Sequence, residues 1–379
     1  MKVKFEKSKM LEKLVRSMGA VSQRNTHPFT EGVLIETAED GIKMATYDME
    51  KSVRSFVEAE VIIEGGCVIN AQRLLSIIRT LPENVVTMTV DEALLVTIQS
   101  GRSSFSLHAL PAKDFPQMPV IAGRESFTIE QCALKRMILK TAHSIAQEDQ
   151  RIVLCGAFFK LSEDNIRIVS CDSRKLSIGN LRTPIVSVNA LERTSFIVPG
   201  KTVTELVKML SDEEGVFITI MVTNKNIIFN MENLVFSSRL IEGEYIDYDR
   251  LVPKDQPIVC ELNAKALCDA LERASLISEE KIAGAAKSFV KLTFNGGVLN
   301  VTSTSANGNI FEEIECSHTG DDISIGFNCR FLIDTMRSIN TENVRISLSS
   351  PFTSAVFEPI DDDAQDNYIY MVLPLKIKE

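Results

Sequence analysis

The chain has no tryptophan, only five tyrosines in 379 residues, and four histidines scattered at positions 27, 108, 143 and 318. A single-strand nucleic-acid binder that stacks bases needs an aromatic platform, and none is evident. No histidine stands in an H-E-x-x-H pair and no serine in a Gly-x-Ser-x-Gly elbow, which removes those two hydrolase patterns. The eight cysteines (67, 132, 155, 171, 260, 268, 316 and 329) include no C-x-x-C pair, so zinc ribbons and compact disulfide frameworks are not expected. Free thiols in a reducing cytoplasm are the expectation. The longest largely apolar run, Val216 to Val222, is far too short to span a bilayer. Met1 to Glu6 lacks the apolar core of a signal peptide. Asp361-Asp362-Asp363 reads as a solvated acidic loop rather than a metal site, and neither metal nor cofactor is expected. Pro199-Gly200-Lys201-Thr202 resembles the end of a phosphate-binding loop. The full motif needs a glycine at position 195, where Ser195 stands, so Lys201 is read as opening a basic helix.

What is present is an internal repeat. Val33-Leu34-Ile35-Glu36 to Ile42-Lys43-Met44, Phe158-Phe159-Lys160-Leu161 to Ile166-Arg167-Ile168, and Val290-Lys291-Leu292-Thr293 to Val298-Leu299-Asn300-Val301 each read as two alternating strands about a turn rich in Gly, Asn or Asp. An amphipathic helix precedes each hairpin, with apolar faces at Met10, Leu11, Leu14, Val15 and Met18, at Leu134, Met137 and Ile138, and at Leu267, Ala270, Leu271 and Ala274. A second helix follows each, matching Arg79 with Lys208 and Arg337 at an interval of 129 residues. The expected fold is α+β: three tandem copies of one domain, 1–123, 124–254 and 255–379, each with helices packed on antiparallel sheet.

The net charge of −10 argues against nucleic acid until its distribution is considered. The windows 8–18, 71–81, 131–144, 201–210, 264–274 and 329–339 hold fourteen basic and five acidic residues, a net charge of +9. The remainder therefore carries −19. Helices sharing one surface would attract phosphate while the outside repels it, without reading base sequence.

Several stretches together resemble the bacterial DNA polymerase III β subunits, the sliding clamps. They are Arg24-Asn25-Thr26-His27-Pro28, Ser100-Gly101-Arg102-Ser103-Ser104-Phe105, Leu110 to Pro116, Ile197-Val198-Pro199, Asp247-Tyr248 with Arg250, and Tyr370-Met371-Val372-Leu373-Pro374-Leu375. The resemblance spans essentially the whole chain. It implies a non-catalytic processivity factor, a head-to-tail homodimeric ring of six domains with helices lining the hole and antiparallel sheets outside. The ring would hold double-stranded DNA by topology, without sequence specificity. Partners would be the replicative DNA polymerase, the clamp loader and repair proteins, recruited through clamp-binding linear motifs.

The family's DNA contacts map onto Arg24 and Arg73, and onto Glu148, Ile152 and Val153, where this chain departs from the usual polar and aromatic residues; Lys201 joins them as the opening of a basic helix. The partner-peptide pocket maps onto Leu154, Cys171, Ser173, Arg174, Lys175, Leu176, Ile246, Arg250 and Leu251 of the middle repeat. From the last repeat it takes Asn328, Phe331, Phe352, Ser354, Met371, Val372, Leu373, Pro374 and Leu375. Cys171, Ser173, Arg174 and Ile246 replace residues common in relatives, so a reshaped and more positive pocket is expected. The dimer contact maps onto Arg102, Phe105 and Leu107 against Leu276, Ile277 and Ile282. A protein-only scaffold, or an enzyme built on Gly200-Lys201-Thr202, are the competing readings.

Overall fold

A computed structural model describes residues 1–22, 27–118, 125–162, 164–183, 186–187, 194–278, 289–305, 308–360 and 366–376. Arg24, Ile282 and the Asp361–Asp363 run lie outside the described residues.

All six expected helices form: α1 (Lys7–Ser17), α2 (Ala71–Thr80), α3 (Gln131–Thr141), α4 (Gly200–Met209), α5 (Ala264–Ser278) and α6 (Cys329–Arg337). Their starts are written in the sequence as asparagines. Asn70, Asn263 and Asn328 stand just before α2, α5 and α6, and each side-chain oxygen accepts a first-turn N–H, from Arg73, Ala266 and Arg330, at 2.9–3.0 Å. Each such cap contributes about 1 kcal/mol. In the first repeat Met10, Leu14, Leu74, Leu75 and Ile78 are buried against the sheet. In the third repeat α5 buries Ala264, Ala270 and Ala274 beside Leu267 and Leu271. The small residues let α6 approach closely enough for the Cys329 thiol to donate to the Leu271 carbonyl at 3.3 Å.

The three repeats are organised as two compact units. The first comprises Met1–Cys132, Val186–Arg193 and Thr204–Leu240; the second comprises Ala133–Ile185, Thr194–Val203 and Ile241–Glu379. The middle repeat is therefore divided. Its strand Leu234–Arg239 pairs with Lys51–Ile63 of the first repeat, and its strand Lys175–Arg182 pairs with Asp366–Val372 of the third. Ladder hydrogen bonds cross each repeat boundary, so contact density follows the sheets rather than the sequence copies. The first unit holds one branched fourteen-stranded sheet; the second holds a nine-stranded and a four-stranded sheet.

Strand pairing corrects the sequence correspondence of the middle hairpin. Leu34 pairs with Ala45, and Phe158 pairs with Val169, so Phe158 is the counterpart of Leu34 rather than of Val33. A one-residue slip would turn every side chain to the opposite face, which makes the pairing decisive over sequence likeness.

Candidate functional site: helix ends, an outer-sheet pocket and two sheet edges

None of the six helices carries an acidic residue in its first turn. Five begin with a base instead: Lys7 and Lys9 on α1, Arg73 on α2, Lys201 on α4, Lys265 on α5 and Arg330 on α6. The N-terminal end of a helix is the positive end of its dipole, and each cation there costs about 0.3–1 kcal/mol in the free protein. An anionic ligand reverses the sign of that term.

The fourteen helix bases are not equal. Lys9 pairs with Glu58, Arg16 with Glu12, Arg136 with Asp366, Lys208 with Glu205, Arg273 with Glu312 and Arg337 with Glu272. Among the described residues Arg73, Arg79, Lys201, Lys265 and Arg330 are exposed without an ion-pair partner. Glu148 and Ile152 are exposed near the short 3-10 helix Ile152–Cys155, and Val153 is half-buried. None of these three side chains offers a donor or a positive charge to a phosphate.

Gly200 follows directly on the strand Ser195–Pro199 and begins α4 with no intervening loop. A Cβ on Gly200 would lie 2.8 Å from Ile145 Cγ2. The glycine thus serves close packing, and the phosphate-loop reading fails.

The residues expected in the partner pocket all belong to the second unit, where Leu154, Cys171, Leu176, Ile246 and Met371 share one apolar cluster. The turn Asp172-Ser173-Arg174 is set by Asp172, whose Oδ1 accepts the N–H groups of Arg174 at 3.0 Å and Lys175 at 2.7 Å. Ser173 takes a left-handed conformation, φ 70°. Lys175 and Leu176 then pair with Val372 and Met371, and the Leu373 N–H donates to the Arg174 carbonyl at 2.9 Å. Leu154, Cys171, Leu176 and Met371 are buried in one apolar cluster, and Val372 is buried in the neighbouring core of the third repeat. Ile246, Phe331, Pro374 and Leu375 are half-buried, while Leu251, Leu373 and Phe352 are exposed, Phe352 at 72%. Arg174 is exposed, and Arg250 pairs with Asp247 at 2.8 Å. The Asn328 side chain is committed to capping α6, and the Ser354 carbonyl accepts from Gln256 Nε2 at 2.8 Å.

Lys175, expected to line the pocket, has its side chain turned into the protein. Its ammonium is buried, 3.1 Å from Asp334, donates to the His143 carbonyl at 2.9 Å, and lies 5.0 Å from the Phe331 ring. It holds the pocket wall from behind. In addition, Ser173 is tied to Asp149 at 3.3 Å and to the Arg151 guanidinium. No local pattern flags Arg151, because its contact is 22 residues away. Burial pushes the pKa of the Cys171 thiol up, and the Ser173 N–H that donates to its sulfur only partly opposes this.

Behind Lys175 lies His143, between the hydroxyls of Ser177 at 3.3 Å and Ser338 at 3.0 Å. Burial first, then the Lys175 ammonium, push its pKa down to about 4, against the opposing charge of Asp334. The folded value lies below the ordinary imidazole value of 6.5, so the unfolded chain takes up the proton first. The contribution to stability is complete above pH 6.5 and is lost as pH falls toward 4, up to about 3 kcal/mol in all. Chemical denaturation of His143→Asn should show a flatter dependence over that window than the parent protein; equal slopes would contradict this placement of His143.

Two of the sheet-end strands carry or adjoin the expected dimer-contact residues. Ser103–His108 ends the sheet of the first unit, with Phe105 exposed, Leu107 half-buried and Arg102 in the preceding turn. Gly308–Glu315 ends the four-stranded sheet of the second unit, alternating half-buried and exposed residues. Phe311 is 61% exposed on that strand, and Leu276 on α5 is 76% exposed beside half-buried Ile277. Phe311 is an addition to the expected contact residues; its signal was the period-2 alternation of an edge strand. Unpaired edges bearing large apolar side chains are templates for another strand.

Three family models cover the chain: the DNA polymerase III beta subunit N-terminal domain over residues 1–119, the central domain over 128–247 and the C-terminal domain over 249–375. The beta sliding clamps of Vibrio cholerae and Escherichia coli K12 are each 30% identical over 379 residues, covering 100% of both chains. Among solved structures, a DNA polymerase III beta subunit from Eubacterium rectale matches with a TM-score of 0.90 and 29% identity, and the DNA polymerase sliding clamp of Bacillus subtilis with 0.90 and 25%, each over 100% of both chains. With all three domain models matched in order along its length, this chain belongs to the DNA polymerase III beta subunit family.

Proposed function

We propose that two copies of this chain close head to tail around duplex DNA, so that retention is topological and the first-turn cations make loose phosphate contacts. Membership of the family makes the chain a non-catalytic processivity clamp of DNA replication. The observation that carries the DNA reading is the complete absence of first-turn carboxylates on six helices, five of which begin with lysine or arginine. That pattern is costly without a bound anion and is repeated across all three sequence copies.

Of the expected DNA contacts, Arg73 and Lys201 are supported by exposure, position and lack of a competing carboxylate, and Lys265, Arg330 and Arg79 join them. Glu148, Ile152 and Val153 are not proposed to bind phosphate. Each phosphate contact steepens the salt dependence of binding by about 0.9 in log–log slope. The double variant Arg73→Glu/Lys201→Glu, which changes four residues in a two-copy ring, should therefore bind a short linear duplex with a slope shallower by up to about four. An unchanged slope would remove these residues from the interface.

The ring would close through the edge strands Ser103–His108 and Gly308–Glu315, with Phe105 and Leu107 of one copy meeting Leu276, Ile277 and Phe311 of the other. Such a contact joins different surfaces and closes after two copies. The polymerase, clamp loader and repair proteins would dock by linear motifs in the pocket of the second unit. Its apolar cluster suits an aliphatic or aromatic anchor, and Arg174 and Ser173 would orient the flanking backbone. Tethering through this pocket raises the effective concentration of a polymerase at the primer end without any bond being made. Deleting Leu373–Glu379 should weaken binding of a clamp-motif peptide at least about a hundredfold, the loss of roughly 3 kcal/mol of hot-spot contacts. Titration of a labelled peptide checks this, with the dimer expected to remain intact.

A further inference from the structure

Where the sheet of the first repeat meets the strand Leu234–Arg239, the first unit carries an open hollow of about 370 Å³, on the sheet face opposite the one that packs on α1 and α2. Leu34, Ala45, Phe56, Met118 and Val235 supply apolar surface, and Lys43 and Arg54 stand beside them. Register explains the grouping. Leu34 pairs with Ala45, Ala45 with Arg54, and Arg54 with Val235, so four neighbouring strands present these residues on one face. Both cations are exposed, and among the described residues neither forms an ion pair, although Glu36 stands directly across the ladder from Lys43.

The middle repeat has the same register, and there the chain covers the face itself. Phe158 pairs with Val169, Val169 with Ile178, Ile178 with Ile369, and Lys160 with Arg167. Phe158 is thus the counterpart of Leu34, and Arg167 of Lys43. Tyr245 stacks on Phe158 with ring centroids 5.0 Å apart and planes 9° from parallel. Four residues on, Asp249 pairs with Arg167 at 3.7 Å. A single segment therefore delivers an aromatic ring to the apolar floor and a carboxylate to the cation. In the first repeat Phe115 covers Leu34, Ala45 and Tyr47, and among the described residues nothing brings a carboxylate to Lys43 or Arg54 as Asp249 is brought to Arg167.

We propose that this hollow is a second peptide-docking site, taking a short segment that places an aromatic side chain over Phe56 and Val235, beside the covered Leu34, and, four residues later, a carboxylate between Lys43 and Arg54. Glu36 and Glu232 also line the hollow, so the fit is to an isolated carboxylate rather than to a run of acids. The proposal does not depend on ring closure or on the pocket of the second unit. The matching chemistry is what the chain already uses on its own middle repeat.

The probe is a fluorescein-labelled peptide copying Glu244–Leu251, titrated against the full-length protein by anisotropy. Binding should weaken at least about tenfold, or 1.4 kcal/mol, in Arg54→Glu and in Lys43→Glu, and likewise when the peptide's Asp249 is replaced by Asn. Deletion of Leu373–Glu379 should leave it unchanged. Arg54 and Lys43 are exposed, so unaltered circular dichroism and melting of both variants is the accompanying control. Absence of binding to the unmodified protein overturns the proposal. So does binding that survives both charge reversals, or that disappears with the C-terminal deletion, since either places the peptide elsewhere.

Discussion

Leu276→Glu is expected to leave the protein monomeric at micromolar concentration. Leu276 is 76% exposed on α5, so its replacement removes nothing from the core of the isolated chain. Between two copies the same side chain would be buried beside Ile277 and Phe311, and a glutamate there would be desolvated without a partner. A central anchor of this kind carries about 2 kcal/mol or more, which weakens association at least about thirtyfold before the charge is counted. Sedimentation equilibrium reads the result directly. Phe105→Glu on the opposite edge should act in the same direction, and an equimolar mixture of the two single variants should not recover a closed dimer. A dimer of unchanged affinity in both variants would mean that these edges face solvent.

Lys175→Ala is expected to cost the second unit about 3 kcal/mol of stability, because removing one member of a buried ion pair leaves the remaining charge without compensation. The estimate is at the low end of the range for buried pairs, since the Asp334 side chain is 32% exposed. Asp172 and the His143 carbonyl lose the same ammonium. The first repeat provides the comparison. Lys51 follows an equivalent turn, with Asp48 accepting the Lys51 N–H at 2.7 Å, Met49 left-handed at φ 77°, and the Lys51 ammonium donating to the Gly19 carbonyl at 2.9 Å. Among the described residues Asp48 alone pairs with it, at 3.4 Å, so Lys51→Ala should destabilise less. Denaturant titrations of the two variants, read as separate unit transitions, decide the order. If Lys51→Ala proves the costlier, the Asp334 contact does not carry the weight given to it. Peptide binding should fall in Lys175→Ala as well, because the turn 172–174 and the strand 371–373 share its wall.

The repeat, the hairpins and the six helices were legible in the sequence because each rests on local periodicity. What was not legible depends on residues distant along the chain. Glu58 neutralises Lys9, Asp366 neutralises Arg136 and Glu312 neutralises Arg273, so a count of helix bases overstates the positive surface. The five unpaired cations emerge only once those partners are placed. The buried role of Lys175 was hidden likewise, since Asp334 lies 159 residues away. The register of the middle hairpin was misread by one residue, because Phe158 and Phe159 are equally apolar and only the ladder distinguishes them. The division of the middle repeat between two units follows from strand pairings, such as Ser52 with Ser237, that no local pattern encodes.

The clamp reading rests on retention by topology rather than by affinity, and one comparison tests it most directly. The protein, loaded by its clamp loader onto a nicked circular duplex, is separated from free protein by gel filtration before and after the circle is cut once. The account predicts a complex that persists on the closed circle at high salt and is lost when the DNA is linearised. Equal retention on both forms, or loss from both at the same salt concentration, would contradict it.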